Sequence, residues 1–543
     1  MTGTALATQG FDVVIVGAGS AGCVLAARLS EDPARRVLLL EAGGSDRSMI
    51  LRKPGMVSVI HTVPQVKQRF DWGYKTDGQA HMDGRVIPYT RGKVLGGSSA
   101  INGMVFVRGH RAIYDGWAAE GCEGWAWEDV LPHFRRLEDW EGGASDTRGT
   151  GGPIKVSRPP LDDMSPVSRA FLEACSGATG VPVVEDYNGE EQEGASRFQF
   201  SFRDGLRYST SEGYLQPALA RPNLTVVTGA LVHRVLFRGS RAVGVRYAVG
   251  SRVTDAMASQ EVVLSAGAVG SPHLLLLSGV GPADELRRLK LDVVADLPVG
   301  RNLVDHLFFP MTFLAPRGGH TGTPGHFFGG MLRELLFGGT WFGRSVFESV
   351  AFLRSEAGLA APDLQLHTLP WAYPRNQDDS SRRPEVDKRP AFTMQPTMLA
   401  PRSRGTLRLR TAQPDDAPHV DPAFLADPED VRTLLRGIAL TREIAAHPAL
   451  ASEFTGELEP GAEVTGDALL AQLRYRAATV YHPVGTCRMG TDAQAVVDPS
   501  LRVRGVEGLR VVDASIMPSL PSGNTNAASI MIGEKGATLL AAG

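Results

Sequence analysis

The run Gly17-Ala18-Gly19-Ser20-Ala21-Gly22 has the spacing of a turn that holds a pyrophosphate. In such a turn Gly17 makes the tight bend, Gly19 lets the backbone approach phosphate oxygens, and Gly22 lets the next helix pack on the preceding strand. The N-terminus of that helix, at Ser20 and Ala21, presents positive partial charge to an anion. Glu41, with Ala42 and Gly43 behind it, comes 19 positions after Gly22, where a carboxylate accepts hydrogen bonds from an adenosine ribose. A second glycine-rich run starts at Arg91 and Gly92 and reaches Leu95-Gly96-Gly97-Ser98-Ser99. Its unhindered N–H groups and two hydroxyls suit a pyrophosphate or a flavin edge. Far along the chain, His482 precedes Pro483 and is thereby biased to extended backbone. With an ordinary pKa of about 6.5, an imidazole can accept a proton near neutrality. Each feature alone also has a plain structural reading: glycines mark ordinary turns, and most of the 13 histidines would be structural or exposed.

The elements that must position these residues can be read from apolar patterning. Phe11 to Val16 reads as a buried strand, Ala21 to Ser30 as a helix and Arg36 to Glu41 as a second strand, a β-α-β unit that sets an α/β class. Strand, turn, helix and acidic residue are in register, which selects a dinucleotide site over a chance glycine turn without separating NAD from FAD. Tyr89 to Asp115 reads as an ordered loop, and Glu141 to Arg158 as an exposed loop leading out of the first unit. Asn223 to Val249 gives short hairpin-like strands, and Glu261 to Ala266 a buried strand followed by a helix at Gly267. Phe308 to Leu399 has a different, aromatic-rich character and looks like a separate unit. Helices are expected over Pro428 to His447, Thr465 to Ala477 and Asn526 to Leu540, and a strand over Leu509 to Val512.

With 543 residues the chain is too long for one core, so two or more units are expected. A composition of 43% hydrophobic and 21% charged residues excludes a disordered chain or a fibrous repeat, and a net charge of −3 gives no reason to expect nucleic acid as a partner. Cys23, Cys122, Cys175 and Cys487 have neither metal-ligand nor C-x-x-C spacing, so no metal site is expected and a reducing, cytoplasmic setting is. The segment MTGTALATQG lacks the features of an export signal and no apolar run is a membrane span, which leaves peripheral membrane association and oligomeric state open.

Four further blocks follow the fingerprint in order: GKVLGGSSAINGMVFVRGHRAIYD from Gly92, GAVGSPHLLLLSGVG from Gly267, YHPVGTCRMG from Tyr481, and LRVVDASIMPSLPSGNTNAASIMIGEK from Leu509. Together they resemble the glucose-methanol-choline (GMC) family of FAD oxidoreductases over nearly the whole chain. The resemblance implies a Rossmann-type FAD-binding domain, residues 10–315 plus 478–543 with a loop excursion near 141–205. It implies a second, α+β substrate-binding domain, residues 316–477, with a mixed sheet flanked by helices. It places Asn102 at the isoalloxazine ring and Val232 at the adenine, with Gly103, Val105, Ala266 and Gly267 also on the cofactor. Asp513 and Ala514 fall by the phosphate or ribityl chain, with Asn524 and Thr525 also on the cofactor side. His482 stands at the family's base. In the implied reaction it takes the hydroxyl proton of a primary or secondary alcohol while hydride passes to flavin N5, giving an aldehyde or ketone. Asn526 occupies the second catalytic position, which holds His or Asn in the family, and His367 resembles a pocket histidine of choline-oxidising members. Where some of those members attach FAD through a histidine, this chain has Ile101, so non-covalent FAD is expected. The acceptor, oxygen or a quinone or carrier, stays open, as does a non-oxidising role of lyase or photodecarboxylase type. Glu348 and Glu356 are the candidates for a cation site. Phe327, Phe328, Trp341, Phe342, Phe347, Phe352 and Trp371 could line a pocket for an aliphatic, aryl or furan-type alcohol, or could be core.

Overall fold

The computed structural model describes residues 10–338, 340–376 and 385–542; the N-terminal stretch read for an export signal lies almost wholly outside them. Strand β1 (Phe11–Val16), helix α1 (Ser20–Leu29) and strand β2 (Val37–Glu41) form the expected β-α-β unit. Strands β1 and β2 are buried almost throughout, as parallel strands covered on both faces must be, which is why they read as continuous apolar runs. Further along lie β3 (Gly194–Arg197), β4 (Leu224–Thr228), β5 (Ala230–Arg238), β6 (Arg241–Val249), β7 (Arg252–Leu264) and helix α2 (Gly267–Leu277). The first sheet has the order β4-β2-β1-β7-β6-β5. Its β4, β2, β1 and β7 pair in parallel. The 13-residue β7 changes partners along its length, running parallel to β1 at Leu264 and antiparallel to β6 at its start.

Beside three small two-stranded sheets, the chain continues with β8 (Leu307–Phe308), β9 (Met311–Leu314), β10 (Ser349–Leu353), β11 (Leu364–Leu369), β12 (Ala391–Met398), β13 (Gly456–Glu459), β14 (Ala478–Thr479) and β15 (Leu509–Val511), with helices α3 (Pro324–Phe337), α4 (Pro428–Ala446) and α5 (Asn526–Ala542) among them. β15 returns to the first sheet beside β7, in parallel. The second sheet has the order β13-β9-β12-β11-β10-β3, with β8 joining β12 to β14.

Three expectations change. The second sheet, expected to be mixed, is antiparallel in every pair. It also takes β3, β8 and β9, which precede the expected boundary at 315, and β14, which follows 477. Short strands that pair only with distant segments carry no local sign of the sheet they join. The third change is in the stretch Glu141 to Arg158, which is not simply exposed: Arg148 is buried and ion-paired with Glu138 and Asp186. A buried guanidinium is tolerated because each charge has partners. Among the described residues, no helix is long and apolar enough to cross a membrane.

Candidate active site

One cavity of about 900 Å³ extends from the fingerprint turn to His482 and on under α3. At the fingerprint end the glycines are required by space. A Cβ on Gly22 would fall 1.9 Å from the Gly17 carbonyl oxygen, and one on Gly97 would fall 2.7 Å from Gly19 Cα. The two glycine-rich turns are thus in direct backbone contact. Gly19 caps α1 without any side-chain hydrogen bond, and Gly19, Ser20 and Ala21 line the cavity. Unpaired first-turn N–H groups of a helix facing a cavity fit a pyrophosphate. Glu41 lies beside them, its carboxylate accepting from Ala18 N–H and Gly43 N–H at 2.8 Å each. Burial pushes its pKa up to about 7.

Most residues singled out by sequence line this cavity: Gly17, Ala42, Arg91, Gly92, Ser98, Asn102, Gly103, Val105, Val232, Ala266, Gly267, Asp513, Ala514, Asn524, Thr525, Asn526, His367 and His482 among them. Five act behind the wall. Gly22 packs on Gly17, Gly43 abuts the Lys93 backbone, Leu95 is core, Gly96 N–H donates to Ala18 carbonyl, and Ser99 Oγ is 3.0 Å from Thr210 Oγ1. Asp513 accepts from Gly267 N–H at 2.9 Å, joining the turn before α2 to the segment after β15. Arg207, absent from the sequence reading, donates to Asn102 Oδ1 at 2.7 Å and to Ser99 carbonyl at 3.2 Å, and so fixes the turn that carries both.

The other end is built around His482. The residue before it, Tyr481, has φ +64°, a left-handed conformation that costs a bulky residue free energy and needs fixing from outside. The fixing group is Asp305. Its Oδ1 accepts from His482 N–H at 2.7 Å, and its Oδ2 accepts from Thr479 Oγ1 at 2.6 Å, while Tyr481 N–H donates to that hydroxyl at 2.7 Å. Arg91, expected on the cofactor, donates to the Tyr481 carbonyl. Burial pushes the Asp305 carboxyl up to about 6.

Among the described residues, two side chains lie within hydrogen-bond distance of the His482 ring. Its Nδ1 is 3.1 Å from His306 Nδ1, and its Nε2 is 3.3 Å from Asn524 Nδ2. Asn524 Oδ1 in turn accepts from Gln365 Nε2 at 3.3 Å. Asn526 was the expected partner of His482, but its Oδ1 accepts from Ser20 Oγ at 2.9 Å and so ties α5 to α1. The helix begins at Asn526 itself, which turns that side chain toward the fingerprint; Asn524, two residues earlier in the loop, faces His482. His367 lies where a pocket histidine was expected, with Nδ1 3.1 Å from Thr397 Oγ1. His61, which sequence reading passed over, lines the cavity with Nε2 3.0 Å from the Ile101 carbonyl.

Desolvation is the first cause of low basicity in all four imidazoles: His61 and His367 fall to about 4, His306 to about 3, and His482 well below 6.5. They are neutral at pH 7. This has a consequence for stability. Nine histidines have lowered values, while Glu41, Asp305 and Asp513 are raised. Just below 6.5 the unfolded histidines take up protons that the folded ones refuse, and the three raised carboxyls oppose this only in part. Thermal melts should therefore show stability highest above about 6.5 and falling as pH drops to 5; a melting temperature constant from pH 8 to 5 would contradict the burial of these rings.

At the mouth, α3 and its surroundings supply His326, Phe327, Phe328, Trp341 and Trp371, with Phe347 deeper. Phe342 and Phe352 are core instead. Glu348 accepts from Ser165, and Glu356 pairs with Arg436, so neither forms a cation site in the cavity. Among the described residues, the carboxylates that line it are Glu41 and Asp513, at the fingerprint end, and Asp415 and Asp416, from a hairpin loop; none of these comes from the sheet that carries His367.

A family model described as GMC oxidoreductase matches residues 11–308, and its C-terminal counterpart matches residues 401–533. The chain is 43% identical to the mitochondrial choline dehydrogenase of Homo sapiens, over 98% of this chain and 89% of that one. It is 41% identical to an alcohol dehydrogenase [acceptor] of Pseudomonas putida, over 98% and 95%. Among solved structures, pyridoxine 4-oxidase from Mesorbium loti superposes with a TM-score of 0.88 at 32% identity, covering 98% of this chain and all of that one.

Proposed function

The chain belongs to the GMC oxidoreductase family and is an FAD-dependent enzyme acting on CH–OH donors, and on that premise we propose that His482 is its base and Asn524 the hydrogen-bond donor to the reacting oxygen. The observation that supports this reading is the facing pair at the cavity wall, His482 Nε2 and Asn524 Nδ2 at 3.3 Å. An alcohol oxygen seated beside the pair, about 3 Å from each nitrogen, can give its proton to Nε2 and receive a hydrogen bond from Nδ2 as negative charge develops. FAD, when bound, supplies the acceptor for the hydride that leaves the alcohol carbon. The fingerprint turn and the Gly97 turn would hold its pyrophosphate, Glu41 its ribose, and the Asn102–Val105 segment its ring. The N-terminus of α5, braced by Ser20, adds positive partial charge to the same wall.

The unit boundaries follow the sheets in this proposal: the FAD unit is the first sheet with its helices, and the second sheet is the substrate wall. Among the described residues that wall is aromatic and carries no carboxylate; aromatic faces attract a quaternary ammonium group as well as an aryl ring, so it is the missing counter-charge that favours a neutral alcohol with an aryl or other apolar group. His367, which lines the same cavity as His482, is placed to meet a polar substituent of the substrate. Anaerobic mixing with a panel of aryl, aliphatic and cationic alcohols tests this: aryl alcohols should bleach the flavin absorbance fastest. A preference for choline would overturn the neutral-substrate reading, and no bleaching by any alcohol would overturn the reaction itself. Peroxide formation on aerobic turnover separates oxygen from a quinone or carrier as acceptor. The four cysteines are free and buried, which suits the cytoplasmic setting proposed here.

Non-covalent FAD is the expected state, because Ile101 offers no nucleophile. Acid precipitation of the holoenzyme should leave the yellow colour in the supernatant. Colour retained in the pellet would point to another attachment residue, with His61, in contact with the Ile101 carbonyl, the first to replace.

A further inference from the structure

We infer that His306 is a positioning residue that fixes the proton of His482 on Nδ1 and so leaves Nε2 free to act as base, an inference that rests on the reading of His482 given above. His306 lies in the segment just before β8, 176 residues from His482, and is fully buried. Its Nε2 is 3.1 Å from the Leu399 carbonyl oxygen. A carbonyl only accepts, so that nitrogen carries the hydrogen. A second proton on the ring is opposed by burial, which also holds its basicity low. His306 Nδ1 is therefore a bare lone pair, and it faces His482 Nδ1 at 3.1 Å with the two rings near perpendicular, at 85°. Two lone pairs do not meet at that distance. His482 Nδ1 must be the donor, and the neutral His482 ring then has its lone pair on Nε2, the nitrogen opposite Asn524.

The reverse assignment would set a bare His306 Nε2 against the Leu399 oxygen and place the His482 hydrogen on the nitrogen that has to accept the substrate proton. The chain Leu399–His306–His482 is thus a directional line of hydrogen bonds with one stable polarity. It ends on a carbonyl, which cannot take up a proton, so it orients the base without draining the proton it collects. Because the acceptor is a neutral imidazole rather than a carboxylate, it adds little stabilisation to protonated His482. This keeps the base uncharged over a wide pH range, in line with its burial.

The test uses holoenzyme variants, read by anaerobic flavin reduction with the best alcohol. His306→Leu keeps an apolar body but removes the acceptor; reduction should slow by about 10- to 100-fold, with FAD retained and half-saturation by the alcohol little changed. His306→Gln can accept from His482 Nδ1 through its oxygen and donate to Leu399 through its amide, and should recover most of the rate. Equal losses in the Leu and Gln variants would mean packing alone and would overturn the inference. His306→Glu gives a direction that a structural role would not: a carboxylate acceptor favours protonated His482, so the acid limb of the reduction rate should move to higher pH. An unmoved limb also overturns it, and this variant decides if the Leu variant does not fold. His482→Ala is run alongside. If it is slow while His306→Leu keeps the wild-type rate, only the role of His306 falls; if it keeps the wild-type rate, the base assignment falls and this inference with it.

Discussion

Replacing His482 by alanine should slow flavin reduction by alcohol by about 10²–10⁴, the range general-base catalysis supplies, while FAD stays bound. The hydrogen-bond partners of the ring among the described residues are His306 and Asn524, not the glycine-rich turns, so its loss leaves the phosphate cradle intact. Asn524→Ala removes one hydrogen bond to the developing alkoxide and should cost on the order of 10². Because the two side chains meet the same oxygen, the double variant should cost less than the product of the single losses. Asn526→Ala gives the contrast. It removes the brace to Ser20 and should weaken FAD retention more than it slows the chemistry of the loaded enzyme. A larger rate loss at Asn526 than at Asn524, measured on fully loaded protein, would return the catalytic role to Asn526. The pH profile carries a second check. Desolvation holds protonated His482 well below 6.5, so the reduction rate should stay level through neutrality and fall only in more acid solution. An acid limb centred at or above 6.5 would show that the base is solvated and is some other group.

The difference between Asn524 and Asn526 shows what kind of information the sequence holds. The fingerprint turn was legible because its constraint is local: Gly17, Gly19 and Gly22 answer to one turn and one helix, and Glu41 to the next strand. The parallel strands were legible because burial on both faces makes them apolar runs. The start of α5 at Asn526 was also legible, but which of two asparagines two residues apart faces His482 depends on the path of the loop before that helix, and patterning does not show it. His306 gave no signal at all. It stands in a short strand-like segment, and its meaning comes from a partner 176 residues away. Asp305 belongs with it, and Arg91 was singled out only for the cofactor: both serve a left-handed Tyr481, a conformation that no residue type announces. The second sheet was obscure for the same reason, since β3, β9 and β13 come from widely separated parts of the chain. Where the relation is tertiary, only the folded chain shows it.

Gly97→Ala should cost the enzyme its cofactor. Gly97 has φ +52°, and a Cβ there would sit 2.7 Å from Gly19 Cα, with backbone and not a yielding side chain as the obstacle. The left-handed conformation costs a non-glycine residue about 1–2 kcal/mol, and overpacking adds about 1–3 kcal/mol. The overlap can be relieved only by parting the Gly19 and Gly97 turns. Both turns line the cavity, so their separation opens the cradle proposed for the pyrophosphate. Without cofactor the turns can part; binding has to force them together again. The overlap therefore falls on FAD affinity rather than on the core, and that affinity should weaken by roughly 10- to 100-fold at about 1.4 kcal/mol per tenfold. Gly44→Ala is the matched control: it lies nearby, a Cβ there would meet nothing within 4 Å, and its φ is not positive. Flavin fluorescence titration of the apoprotein reads the affinity, and far-ultraviolet circular dichroism with a thermal melt reads the fold. The expected pattern is a native-like spectrum in both variants and loss of affinity in Gly97→Ala alone. If Gly97→Ala binds FAD as tightly as Gly44→Ala does, the contact between the two turns is not part of the cofactor cradle, and the phosphate must be held by the α1 turn without it.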